Sequence, residues 1–284
     1  MERKRNQEQT KGLQTKGLRR NTIDKYYTKP DVVDVCINLV KQHLQINAED
    51  FIIEPCAGNG AFIRGIQSLS NHSIFYDIEP ENDEIIEQDY LLFELQNNHD
   101  KKIHVIGNPP FGRQSSMAIQ FIKKSCQFCD TLSFILPKSF KKDSLKKTFP
   151  SQFHLLHETD LPEKSFLVNG LEHHVPCIFQ IWEKKEYNRV AIKNAEPSHF
   201  IFVRKENNPD ISFRRVGVNA GMIDVNTTKK SVQSHYFIRF TNSQSVEENL
   251  KELSAVTFGF NNTVGPKSVS KQELILAFNP LLKK

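Results

Sequence analysis

Between residues 31 and 44 the apolar positions Val32, Val35, Cys36, Leu39, Val40 and Leu44 recur at helical spacing, and Pro30 with Asp31 marks a helix start. Short apolar runs then alternate with helical stretches. The runs are FIIEP from residue 51, IFYDI from 74, IIEQD from 85, IHVIG from 103 and TLSFILP from 131; the helices begin near Ala61 and at SSMAIQFIKKSC from 115. Apolar runs this short, separated by helices, predict parallel strands in a sheet covered on both faces, an α/β fold. After Pro137 the pattern predicts a Lys-rich helical stretch, an extended segment near FHLLHETDLP from 153, a loop over EKSFLVNGLEHH from 163, and the strand VPCIFQIWEKK from 175.

From about Tyr187 the pattern changes. Irregular strands are expected at FIFVRKE from 200, ISFRRVG from 211 and HYFIRFT from 235, followed by helices at SVEENLKEL from 245 and SKQELILAF from 270. Residues 1–22 hold the near-repeat TKGLQTKGLRR with little apolar content, which suits a flexible arm. The organisation expected is therefore an arm over 1–22, a catalytic domain over 23–186 and a basic extension over 187–284, a possible target-recognition region.

Charge sharpens this division. The net charge of +5 conceals basic ends around an acidic centre: residues 1–25 and 185–284 carry excess Lys and Arg, and residues 26–184 carry excess acid. Basic appendages suit a polyanion, because Lys and Arg on phosphates release counterions; a merely solvated surface reads equally well from charge alone. No apolar stretch approaches a membrane span, and the basic start is not followed by the apolar segment of a secretory signal. A soluble, non-secreted protein is expected, cytoplasmic or, in a eukaryote, nuclear. The five cysteines are odd in number and scattered through apolar segments, which fits reduced thiols. Cys126 and Cys129 form a CxxC with His154 and His157 downstream, but without the second well-spaced pair of a zinc site they read as small buried side chains, and no metal is expected.

The chemistry lies at strand ends. EPCAGNGAF, Glu54 to Phe62, follows the first strand and leads into a helix, so that Gly58 and Gly60 let backbone approach a ligand closely. Asp77 closes the second strand and Asp89 the third. Carboxylates at consecutive strand ends suit the hydroxyls and amino group of a nucleoside, since open α/β sheets bind ligands at the carboxyl edge; a helix cap is the plainer role for either acid alone. Asn108 follows the fourth strand and precedes two prolines, which fix two φ angles and remove two donors. An amide oxygen beside a fixed carbonyl makes two acceptors for one amino group. An exocyclic nitrogen bound to both loses conjugation with its ring, and its lone pair becomes available to an electrophilic methyl. Phe111 offers a face on which an extruded base could stack.

The ordered set YYTKP (26–30), EPCAGNG (54–60), YDIEP (76–80), QDYL (88–91) and NPPF (108–111) resembles S-adenosylmethionine-dependent amino methyltransferases, above all the N6-adenine DNA methyltransferases, over roughly residues 23–184. The resemblance implies a Rossmann-like class I fold, with a seven-stranded, mostly parallel sheet whose last strand, CIFQIW, is antiparallel. It implies S-adenosylmethionine as cofactor, with Tyr26, Thr28, Pro30 and Glu54 toward its methionine end and Pro55, Ala57, Gly58 and Gly60 along it. Asp77 would hold its ribose, and Asp89 with Tyr90 its adenine. Asn108 would border the cofactor and, with Pro109, hold the target amine, and the whole catalytic turn, with Pro110 and Phe111, would hold the target base. Glu54 stands where the family more often has Asp. Cys56 and Cys177 each follow a proline, but C5-cytosine chemistry needs its cysteine after the fourth strand, where this chain has NPPF; N4-cytosine enzymes lean toward Ser at the position of Asn108. The expected reaction is methylation of adenine N6 in duplex DNA. The alternatives are an RNA adenine methyltransferase of the ribosomal type, to which NPPF–Gly and the Y-x-T lead-in are similar, and a non-catalytic nucleic-acid-binding scaffold. Enzymes methylating glutamine in release factors share NPPF but carry a helical domain ahead of the first motif, for which little room is left here.

Overall fold

A computed structural model describes residues 25–95, 101–191, 193–258 and 267–283; the arm expected over 1–22 lies outside the described residues. The chain runs through β1 (Tyr27–Thr28), α1 (Pro30–His43), β2 (Phe51–Glu54), α2 (Ile63–Gln67), β3 (His72–Asp77), β4 (Ile86–Glu87), β5 (Ile103–Gly107), α3 (Ser116–Ser125), β6 (Thr131–Pro137), α4 (Asp143–Lys146), β7 (Phe153–Asp160), β8 (Phe166–Val168), β9 (Leu171–His173) and β10 (Cys177–Lys184). Seven of these strands form one sheet in the order β4-β3-β2-β5-β6-β10-β7. Pairing is parallel from β4 to β6, and β10 runs antiparallel to both of its neighbours. This is the α/β, Rossmann-like sheet expected, with CIFQIW as its reversed strand.

Alternation along the strands feeds two cores. Ile52, Ile106, Ile135 and Phe179 face one way, against Val33, Ile37 and Val40 of α1 and Ile63 and Ile66 of α2. Ile53, Val105, Leu132, Phe134 and Ile178 face the other way, against Ala118, Phe121 and Ile122 of α3. Successive residues of a strand point to opposite faces, so a strand buried on both sides reads as an unbroken apolar run. Within α1 the buried stripe is Val32, Val33, Cys36, Ile37 and Val40; Val35, counted in the stripe from spacing, is exposed. All five cysteines are free, and Cys36, Cys126, Cys129 and Cys177 are buried.

One sequence expectation is overturned. The segment from residue 163, read as a loop, forms the hairpin β8–β9, and β1 pairs antiparallel with β8 to make a separate three-stranded sheet. Asn169 and Gly170 join its strands with φ of +50° and +76°. Two consecutive residues at positive φ give the turn whose twist matches a hairpin, and Asn-Gly is the pair that adopts it most readily.

Beyond β10, β11 (Phe200–Val203), β12 (Ile211–Arg214), β13 (Ile223–Asp224) and β14 (His235–Phe240) form an antiparallel sheet in the order β11-β14-β12-β13, followed by α5 (Val246–Leu253) and α6 (Lys271–Phe278). Both helices begin in capping boxes, Ser245 with Glu248 and Ser270 with Glu273, which satisfy otherwise orphaned amides. Phe200, Ile211, Phe213, Ile238, Leu274 and Phe278 belong to a third core cluster. Lys142, just after β6, ties this region to the large sheet: its Nζ donates to the Ser268 carbonyl at 2.9 Å and lies 3.3 Å from Glu273 Oε2. Among the described residues no helix is long and apolar enough to cross a membrane.

Candidate cofactor and target site

In the large sheet the strand order reverses between β2 and β5, and the crevice beyond their carboxyl ends is where open α/β sheets take ligands. A cleft of about 450 Å³ opens there, within the range of small-molecule sites. Tyr26, Thr28, Glu54, Pro55, Ala57, Gly58, Asp77, Asp89, Tyr90, Asn108, Pro109, Pro110 and Phe111 all line it. Residues scattered over 86 positions of sequence thus meet at one edge because β2, β3 and β5 end side by side.

Two expected residues lie outside the lining. Pro30 is exposed as the first residue of α1, where its ring fixes the helix start. Gly60 turns the chain at φ +84°, and a Cβ there would sit 2.6 Å from Ile63 Cδ1, so its contribution is to backbone geometry. Two others occupy different settings from those expected. Tyr90 is buried: its ring stacks with Phe121 at 5.6 Å, and its hydroxyl shares a 2.9 Å hydrogen bond with Ser125 Oγ, so it floors the cleft rather than projecting into it. Asp89 follows β4 by two residues and caps the turn Tyr90–Leu92, accepting from the Leu91 N–H at 2.9 Å.

Asp77 holds the glycine loop. Its Oδ2 accepts from the Gly58 N–H at 2.7 Å and its Oδ1 from the Glu79 N–H at 2.9 Å. Gly58 has φ +55°, a left-handed conformation that costs glycine little. Glu54 is 1% exposed and its Oε2 has no hydrogen-bond partner. Burial, followed by the charge of Asp77, pushes its carboxyl well above the usual carboxylate range. An unpaired buried acid of this kind is costly, and a donor or cation brought into the cleft would relieve it. Burial also pushes the Cys56 thiol well up, with Glu54 and Asp77 adding to the effect, so Cys56 is a neutral wall of the cleft.

Asn108 is held by the lead-in ahead of α1. Its Nδ2 donates to the Tyr26 carbonyl and to Thr28 Oγ1, each at 3.2 Å, while its buried Oδ1 has no partner. A carbonyl can only accept, so the contact with Tyr26 fixes which end of the amide is nitrogen. Thr28, expected near the methionine end of a cofactor, thus contacts the Asn108 amide. Among the described residues no donor reaches the Pro109 carbonyl either. Beyond the prolines, Gln114 and Ser115 adopt φ of +54° and +62°, strained values for residues with a Cβ, in the turn that carries Phe111 toward α3.

The mouth is drawn together by residues that sequence reasoning did not single out. Lys25 Nζ and the Tyr27 hydroxyl donate to Glu81 Oε1 at 2.7 and 2.6 Å, pinning the lead-in to the loop after β3. Burial, then Glu81, pushes the Tyr27 hydroxyl up to about 12. Phe62, Gln88, Met117 and Phe121 also line the cleft. Of these, Met117 and Phe121 were legible as an i, i+4 pair on the helix after the NPPF turn; contacts such as Tyr27 to Glu81 span too many residues to leave a local signal.

No protein-family model and no curated protein matches the chain. Solved structures resemble it at the level of chain path. A Pyrococcus horikoshii protein described as a candidate RNA methyltransferase is 17% identical over 64% of this chain and 98% of its own, with a TM-score of 0.45. The 23S rRNA methyltransferase ErmE is 12% identical over 58% of this chain and 72% of its own, with a TM-score of 0.43. A dimethyladenosine transferase from Plasmodium falciparum is 16% identical over 57% and 64%, with a TM-score of 0.41. It is the sheet order and strand directions, rather than these distant likenesses, that define the fold of this chain.

Proposed function

We propose that the protein transfers a methyl group from S-adenosylmethionine to the exocyclic N6 of adenine in DNA. The observation that carries this reading is the pair of buried, unpartnered acceptors lining one cleft, Glu54 Oε2 and Asn108 Oδ1. Native proteins satisfy nearly all buried polar atoms, so two orphans in one cavity call for ligands that bring donors. The cofactor's ammonium and the target's amino group are two such donors, and the residues present fit both. Asp77 has lone pairs left for ribose hydroxyls after accepting two amides, and the Gly58 turn admits a ligand against backbone.

When bound, the cofactor supplies an electrophilic methyl on a positively charged sulfur. The chain's own part is to prepare the nitrogen. Asn108 Oδ1 and the Pro109 carbonyl accept the two amine hydrogens, which draws the nitrogen toward tetrahedral geometry and frees its lone pair. With the cofactor held by Glu54, Asp77 and the Gly58 turn, that lone pair would be placed to take the methyl, the S–C electron pair would stay with the departing thioether, and the extra proton would leave to solvent. Phe111, half-buried against both cores, offers a face for the base.

The C-terminal region supports a nucleic-acid substrate. Lys271 Nζ lies 4.6 Å from the Phe202 ring centroid, and Arg215 lies 5.6 Å from that of Tyr236. Cations resting on aromatic faces keep their charge available to phosphate, unlike those neutralised by carboxylates. Residues 187–284 would thus grip a nucleic acid, and their size supports target reading on duplex DNA. Asn108→Ala tests the reading: methyl transfer is expected to fall below detection while calorimetry still shows cofactor binding near the wild-type affinity. Retained turnover would remove Asn108 from the mechanism.

A further inference from the structure

The Asn108 amide is oriented by a part of the chain remote from it in sequence. Its Nδ2 meets Tyr26 O and Thr28 Oγ1, both on the lead-in, and the lead-in is itself held by the β8–β9 hairpin. Tyr27 pairs with Leu167 and Thr28 with Phe166, and the Lys29 N–H donates to the Ser165 carbonyl at 3.0 Å. The Tyr26 ring packs edge-on to Phe166 with centroids 6.2 Å apart, and Lys29 Nζ donates to Glu172 Oε1 at 2.9 Å. Were the amide reversed, its oxygen would face the Tyr26 carbonyl, acceptor against acceptor, and its NH₂ would face the target amine, donor against donor.

We infer that Thr28 is a positioning residue for methyl transfer: the β8–β9 hairpin fixes β1, and Tyr26 O with Thr28 Oγ1 turns the Asn108 nitrogen away so that Oδ1 alone meets the target amine. This rests on the proposed reaction. Thr28 is 5% exposed and its hydroxyl accepts one of the two amide hydrogens, so its loss leaves the Tyr26 carbonyl as the single acceptor holding Nδ2 and loosens the orientation of the amide. The hairpin acts at one remove, through Phe166, which does not line the cleft.

The experiment compares Thr28→Val, Thr28→Ser and Phe166→Leu in the full chain. Thr28→Val keeps the shape without the hydroxyl and should lower kcat roughly tenfold, the rate equivalent of one hydrogen bond, with cofactor Kd within about twofold of wild type. Thr28→Ser should restore kcat, and Phe166→Leu should lower it in the same direction as Thr28→Val. In protein labelled with ¹⁵N-asparagine, the side-chain NH₂ resonance of Asn108, assigned by its loss in Asn108→Ala, should shift in Thr28→Val and return in Thr28→Ser. Weaker cofactor binding with kcat unchanged would make Thr28 a cofactor residue and overturn the inference, as would an unmoved Asn108 resonance. An unchanged kcat in Phe166→Leu would overturn the hairpin's part. If the wild-type protein methylated no nucleic acid, the proposed function would fall, while the amide resonance would still decide whether Thr28 holds Asn108.

Discussion

Asp77→Ala separates what a carboxylate does for the loop from what it does for the ligand. The side chain accepts two backbone amides, from Gly58 at 2.7 Å and Glu79 at 2.9 Å. A typical hydrogen bond contributes about 1 kcal/mol net and one to a charged group up to about 3, but this site is partly open and water can replace some of the loss. Roughly 2–3 kcal/mol of stability should go, which for a chain of this size lowers Tm by about 4–12 °C. The cofactor should lose a further 1–3 kcal/mol, a Kd about 5- to 150-fold weaker, because ribose hydroxyls lose their charged acceptor. Asp77→Asn retains one acceptor oxygen and should fall between wild type and alanine on both scales. Differential scanning calorimetry reads the first effect and isothermal titration with S-adenosylmethionine the second. Wild-type affinity in Asp77→Ala would refute the ribose assignment; an unchanged Tm would refute the loop argument.

Glu54→Gln tests the buried acid. Burial, then Asp77, raises the Glu54 pKa in the folded chain, so the native state holds that proton more tightly than the unfolded one and stability falls as pH rises from the unfolded value toward the folded one. Without cofactor, Glu54→Gln should therefore melt above wild type at neutral pH, with the gap closing in acid where both states are protonated; a gap that widens in acid would contradict the assignment. Cofactor affinity of the wild type should rise with pH as Glu54 ionises against the bound ammonium, and that of Glu54→Gln should not. For the C-terminal region, Lys271→Gln should leave cofactor binding intact and make the salt dependence of DNA binding shallower by about one counterion in fluorescence anisotropy. An unchanged slope would remove Lys271 from the nucleic-acid contact.

The large sheet was legible because β2, β5 and β6 are buried on both faces and so read as short, mostly apolar runs between helices, broken only by small or single polar residues such as His104 and Ser133. The cleft was legible where chemistry sits on strand ends: Glu54, Asp77 and Asn108 are placed by the first residue after, or the last residue of, a strand. The hairpin was missed although Asn169-Gly170 announced it, because its three-residue strands are too short for alternation to show and β9 is exposed throughout. Its stability comes from pairing with β1, more than a hundred residues away. The setting of Tyr90 within the cleft was hidden for a related reason. Its position after Asp89 was visible, but the direction of its ring is set by Phe121 and Ser125 on α3, a tertiary contact that no local pattern encodes.

The central claim is methyl transfer to adenine N6, and the most direct measurement is mass spectrometry of nucleosides. Duplex DNA, single-stranded DNA and structured RNA would each be incubated with the full-length protein and S-adenosylmethionine carrying an isotopically labelled methyl, then digested. The account predicts labelled N6-methyladenine from DNA and none with Asn108→Ala. Label confined to structured RNA at every salt concentration would transfer the activity to RNA, and absence of labelled methyladenine from all three substrates would contradict the claim itself.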